Sequence, residues 1–226
     1  MRGRLYNSVM LAVVSTGKRA SADVRRLLLD EAARVLAEQG PAALSARRLV
    51  QAVGASTMAV YTHFGSMPGL VREVIREGFA RFHARALAVE QGGDPVVELA
   101  GLCRVYQEFA RAEPAVYTVM LGGSAIAGFT LTEEDRRTGA FMLRMPRDAI
   151  RRCAGAGRFR VDADADLLVR QLFSSMHGLA QLSRGGYVMG GYTSEQVLRG
   201  VLVDFAVAAG DDPARAEASV AAALSA

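Results

Sequence analysis

Residues 54–70 read GASTMAVYTHFGSMPGL, and the mixture of side chains there decides how the chain is to be understood. Ser, Thr, Tyr, Thr and His crowd onto about two helical turns of an otherwise apolar, helix-favouring sequence. Burial selects Leu, Val and Phe, and a face meant only to be wet carries charge; this stretch has no Asp, Glu, Lys or Arg. Val60 and Phe64, four residues apart, form an inward side, while Thr57, Met58, Tyr61 and Thr62 project from the outward side.

The segments upstream explain what such a helix is for. In SADVRRLLLDEAARVLAEQG, Ser21 or Asp23 caps the start, Gly40-Pro41 stops the helix, and Val24, Leu28, Ala32 and Val35 form one stripe. LSARRLVQAVG follows, with Ser45 as N-cap, Leu49 and Val53 inward, and Gly54 supplying a left-handed turn. The third helix starts at Ser56 as its cap. Two short helices joined by a glycine turn and braced by a longer one describe a helix-turn-helix, whose second helix enters the DNA major groove. Small hydroxyl and apolar side chains read base edges and thymine methyls there without charge of their own.

Charge distribution agrees. Residues 1–70 hold nine basic side chains (Arg2, Arg4, Lys18, Arg19, Arg25, Arg26, Arg34, Arg47, Arg48) against four acids (Asp23, Asp30, Glu31, Glu38), and the remainder is about neutral. An excess at one end suits a polyanionic partner. Arg47 and Arg48, at the start of the second helix, lie where the sugar-phosphate backbone passes, and the Ser45-capped amides face the same phosphate. Lys18 and Arg19 fit a minor-groove arm and a solvated pair equally. The apolar run Val9–Val14 is too short to span a bilayer, and residues 1–20 read as an N-terminal tail.

The stretch 54–70 resembles the recognition-helix signature of the TetR family of transcriptional repressors, roughly G-V-S-x-G-T-L-Y-x-H-F-x-S-K-x-x-L. Gly54, Ser56, Tyr61, His63, Phe64, Ser66 and Leu70 match, and LLDEAARVLAEQG and LSARRLV fit the family's first two helices in order and spacing. The resemblance implies an all-α homodimer with an N-terminal three-helix helix-turn-helix domain (residues 21–67). A larger helical domain that binds a small effector and dimerises would occupy 68–226. It makes Tyr61 a phosphate contact and His63 a structural residue or phosphate donor. Two positions depart from the signature: Met67 stands where the family has a phosphate-binding Lys, and the bulky Met58 replaces a small residue facing the bases.

Beyond Pro68 the pattern is helix after helix: about Leu70–Glu90, Pro95–Ala112, Ala115–Leu121, and Thr132–Cys153 with an internal Pro146 expected to kink it. The glycine-rich GGSAIAGFT between them lacks the features of a phosphate cradle and reads as a connection. Two later helices are apolar on two adjoining faces, one carrying Leu168 and Leu172, the other Val197, Val201 and Phe205. By the resemblance these pair with their symmetry mates. MHGLAQLS is similar to a segment of one group of TetR-like C-terminal domains, in which Trp takes the place of Met176. Phe82, Tyr106, Phe109, Met120, Phe141, Met145 and Met176 are candidate walls of an effector pocket, with Tyr106, His83 and His177 as its polar contacts. Such a wall suits a largely apolar ligand.

Cys103 and Cys153, 50 residues apart, match no disulfide or metal spacing, and three His share no ligand pattern. No activated nucleophile motif is present, and no cofactor is implied. The expectation is a cytoplasmic, non-enzymatic, ligand-responsive regulator that binds a double-stranded DNA operator and touches no membrane. The alternative is a dimeric helical small-molecule-binding protein that has lost specific DNA binding, an option kept open by Met67.

Overall fold

A computed structural model describes residues 3–91, 93–121, 132–133, 137 and 139–225, with backbone alone for 3–20. The regular structure among the described residues is helical, with ten α-helices and a 3-10 helix at Pro41–Ala43. They are α1 Gly3–Gln39, α2 Ala46–Val53, α3 Thr57–Phe64, α4 Met67–Leu87, α5 Pro95–Ala112, α6 Pro114–Leu121, α7 Phe141–Gly155, α8 Ala165–Arg184, α9 Ser194–Ala209 and α10 Pro213–Ser225. The chain divides into two compact units, Met1–Gly78 with Ala115–Asp135, and Phe79–Pro114 with Arg136–Ala226. The expected division at 67/68 falls one residue inside the start of α4, a continuous helix, and compactness places the break a further eleven residues along it.

In the first unit, Leu28, Ala32 and Val35 of α1, Leu49 of α2 and Val60 of α3 are fully buried and make the core of the three-helix arrangement. The expected stripe on α1 is therefore the packed one, joined by Leu29, Ala33 and Leu36. The helix itself begins at Gly3 rather than at Ser21 or Asp23, because nothing between residues 3 and 39 breaks it: no Pro interrupts, and Gly17 alone is weak. Ser45 caps α2, its Oγ accepting from Arg48 N–H at 3.4 Å, and Gly54 ends α2 in the left-handed conformation at φ 70°. Ser56 occupies the N-cap position of α3 but makes no side-chain cap bond; the first turn is closed by its carbonyl, which accepts from Ala59 N–H at 2.9 Å.

The turn from α3 to α4 is tight. Ser66 Oγ accepts from Gly69 N–H at 3.1 Å. A Cβ on Gly69 would lie 2.2 Å from the Phe64 carbonyl oxygen, so no other residue fits there unless the turn opens. Pro68 occupies the first turn of α4, where its missing N–H costs nothing.

In the second unit α5 is central, packing against α7, α8 and α10 and burying side chains on most of its circumference. α7 packs on α8, and α9 on α10. α7 is bounded at Phe141–Gly155 with Pro146 inside it, and the expected start at Thr132 lies mostly outside the described residues, as does all of GGSAIAGFT. The segment AGAGRFRVDAD forms the expected turn, but at its centre Arg158 is only 4% exposed. Its guanidinium makes a two-pronged contact with Asp211, Nε and Nη2 each 2.7 Å from a carboxylate oxygen, reaches Asp94 at 2.5 Å and donates to Ser219 Oγ at 3.0 Å. This cluster ties the α7–α8 turn, the α5 N-cap and α10 together in the unit's interior. Both cysteines are buried free thiols, and burial pushes each up to about 12.

Candidate nucleic-acid interface and effector cavity

The recognition face of α3 has the division read from its periodicity. Val60 is fully buried and Phe64 nearly so, while Thr57, Met58, Tyr61 and Thr62 are exposed, Met58 to 68% and Tyr61 to 50%. His63 is half-buried with its ring 5.9 Å from that of Phe64, which fits a structural part better than a base contact. Ser45, Arg47, Arg48 and Ser56 are exposed at the starts of α2 and α3. The side chains of Lys18 and Arg19 lie outside the described residues. Met67 is half-buried at the head of α4.

Not all the basic charge of this unit is available to a partner. Arg34 is held by Glu31 and Glu38 at 2.6 Å each. Arg25, counted with the free charges in the sequence, pairs with Glu73 of α4 at 2.6 Å and lies 5.6 Å above the Phe64 ring. It clamps the end of α3 to α4, a positioning part that composition could not reveal because Glu73 is 48 residues away. Arg47 and Arg48 remain on the exposed face.

The second unit contains an apolar cavity of about 40 Å³. Five of the expected residues line it: Phe82, Tyr106, Phe141, Met145 and Met176. Phe109 stands behind Phe82, rings 5.5 Å apart, and His83 lies against Phe141 at 4.4 Å; neither forms the wall. Met120 is buried in the first unit. His177 also stays outside the wall, but its Nδ1 lies 3.1 Å from Tyr106 Oη, and its ring stacks on that of Phe173, which does line the cavity. Burial holds His177 below its ordinary value. Tyr106 and Cys103 thus stand in the wall among aromatic and aliphatic side chains, the Tyr106 hydroxyl being engaged by His177. At 40 Å³ the space suits a water-sized guest and falls well short of the ~300 Å³ at which ligand pockets begin.

On α8 and α9 the expected contact residues separate. Leu168, Val197, Val201 and Phe205 are half-buried within the protomer and keep surface to offer, whereas Leu172 is 2% exposed and belongs to the cavity wall. A side chain already covered has little left for a second copy. No described helix is long and apolar enough to cross a membrane, and no group of three or more His, Cys, Asp or Glu among the described residues could hold a metal ion.

Comparison with known proteins sets this geometry in a family. Residues 28–74 match the family described as bacterial regulatory proteins, tetR family, and residues 99–205 match the tetracyclin repressor-like C-terminal domain. Among solved structures, a protein of unknown function from Rhodococcus is 24% identical, with a TM-score of 0.71 over 83% of this chain and 96% of that one. PfmR, a TetR family transcriptional regulator from Thermus thermophilus, is 23% identical, with a TM-score of 0.64 over 82% of this chain and 99% of that one. The ketosteroid transcriptional regulator KstR2 of Mycobacterium tuberculosis is 24% identical, with a TM-score of 0.65 over 83% and 95%. At these identities the structures speak for the fold alone. No curated protein matches the sequence. With the two family matches falling on the helix-turn-helix and on the helical unit that follows it, the chain belongs to the TetR family of non-enzymatic, DNA-binding transcriptional regulators.

Proposed function

We propose that the protein is a homodimeric cytoplasmic repressor that reads an operator with α3 and is released by a small, largely apolar effector. The observation that carries the reading is the two-sided α3: Val60 and Phe64 anchor it, and Thr57, Met58, Tyr61 and Thr62 stand exposed together. In the reading, Thr57, Met58 and Thr62 face base edges. Tyr61, Ser45, Ser56, Arg47 and Arg48 hold phosphates, with His63 positioning the end of the helix. Two such helices in a dimer would meet successive major grooves about 34–36 Å apart. Leu168, Val197, Val201 and Phe205 are the proposed dimer contacts.

The effector part rests on the convergence of Phe82, Tyr106, Phe141, Met145 and Met176 on one apolar space. Because that space is small, an effector would enter only by displacing its walls, and its differential affinity for the widened arrangement is what would shift the equilibrium. Lys18 and Arg19 would add minor-groove or phosphate contacts.

The test is binding of the purified chain to DNA from its own promoter region at two salt concentrations, beside a Thr57→Ala/Tyr61→Phe variant. Expected are a steep loss of affinity with salt and, in the variant, a loss on all DNA from the Tyr61 phosphate contact together with a further loss of about 1–3 kcal/mol on operator DNA alone from Thr57. If neither promoter DNA nor a random-sequence selection yields a specific site, DNA reading fails. The dimeric ligand-binding protein that has lost its operator, to which Met67 in place of the phosphate-binding Lys points, then takes its place.

A further inference from the structure

We infer that a groove framed by α5, α8, α9 and α10 is a second binding site, for a small amphiphilic monocarboxylate, and that Glu113 carries its occupancy to α4. The groove holds about 330 Å³, some eight times the apolar cavity's 40 Å³, and reaches ligand size without any wall moving. Its apolar part is made by Ala110, Ala180, Leu198 and Leu224. Half of its polar edge comes from one stripe of α5, residues 104, 107, 108 and 111, which follow one another at helical spacing, and Ser183, Arg184, Ser194 and Glu195 of α8 and α9 supply the rest.

The partners along that edge select the ligand. Arg104 is engaged, its Nη1 2.9 Å from Glu108 and its Nε donating to the Ala223 carbonyl at 3.0 Å. The Gln107 amide nitrogen donates to the Met176 carbonyl at 2.8 Å. Arg111 is exposed and has no ion pair or hydrogen bond among the described residues. A guanidinium fork at the rim of an apolar groove matches a carboxylate head with a short hydrocarbon tail. The charged lining of the groove is Arg104, Arg111 and Arg184 against Glu108 and Glu195, with Glu108 paired to Arg104, and an excess of one positive charge matches a singly charged head better than a phosphate.

The route outward is short. Two residues beyond Arg111, Glu113 closes α5 and accepts from Arg81 at 3.1 Å and from Arg85, both on α4. A ligand that fixes the Arg111 turn thereby steadies the acceptor on which this end of α4 depends.

Octanoate is the probe, titrated calorimetrically into the full chain. Saturable binding is expected, weakened about tenfold or more in Arg111→Gln, the size of one charge-assisted hydrogen bond. It should also weaken in Ser183→Trp, which fills the groove from a half-buried position, and when methyl octanoate or octyl phosphate replaces octanoate. Met145→Trp, which narrows the apolar cavity, should leave it unchanged. Absence of saturable octanoate binding at millimolar concentration overturns the site. So does binding that survives Arg111→Gln and Ser183→Trp but is lost in Met145→Trp, a result that would move the ligand to the apolar cavity. Octanoate should also slow hydrogen exchange over residues 79–87 in the wild type but not in Glu113→Gln. Equal slowing in both removes Glu113 as the link. None of these readouts uses DNA, so they stand or fall apart from the operator reading.

Discussion

Arg158 shows how far a residue's part can lie from its sequence neighbourhood. Within a glycine-flanked turn it looks like a solvated charge, yet it is buried with two carboxylates and a hydroxyl from segments 53 to 64 residues away. Burial works against the charge of Asp94, but the hydrogen bonds from Arg158 and Ser219 outweigh it and hold the carboxyl below its ordinary value. Arg158→Met should leave Asp211 buried without its cation and lower stability by about 3–5 kcal/mol, read from urea unfolding. His177 gives a pH signature. Its folded value lies below 6.5, so the unfolded chain binds the extra proton as pH falls through the mid-sixes. Its share of stability is complete above that range and declines below it. Melting temperatures measured from pH 7.5 down to 5.5 should fall more for the wild type than for His177→Gln; parallel curves would remove His177 as the cause.

Among the elements, α3 depends on the turn that follows it. Gly69 faces the Phe64 carbonyl so closely that a methyl group cannot be accommodated without shifting the start of α4. Gly69→Ala should therefore cost about 1–3 kcal/mol of stability. Because the shift falls at the end of the recognition helix, operator affinity should drop beyond what the stability loss explains. Chemical denaturation and a gel shift on the same preparation measure the two separately, and an unshifted melting curve would show that the turn opens freely. Arg25 acts on the same corner from α1, through Glu73 and the Phe64 ring.

At the scale of the whole molecule, assembly rests on the half-buried faces of α8 and α9. Val201→Glu would place a charge in the middle of the proposed dimer contact, where a carboxylate meets its own symmetry copy. Sedimentation should report a monomer at micromolar concentrations at which the wild type is a dimer. A Leu172→Ala variant, by contrast, removes cavity wall and should destabilise the protomer by about 2–5 kcal/mol. If Val201→Glu leaves the dimer intact, the contact lies elsewhere.

The sequence by itself determined what depends on neighbours within a few turns. Periodicity placed the α1 stripe and the inward Val60 and Phe64. Ser45 and Gly54 marked the ends of α2 because a cap and a left-handed glycine are local devices. The ordered signature of 54–70 carried the family. The N-terminal start of α1 was misplaced because capping residues mark where a helix can begin and do not compel it to begin there. The tertiary structure alone decided which apolar side chains wall a cavity and which merely back it, separating Tyr106 from Phe109 and Leu172 from Leu168. It also decided which charges are engaged across the fold, tying Arg25 to Glu73 and Arg158 to Asp94 and Asp211 while leaving Arg111 open. A charge's availability depends on what other helices bring within 4 Å of it, and no periodicity along one helix records that.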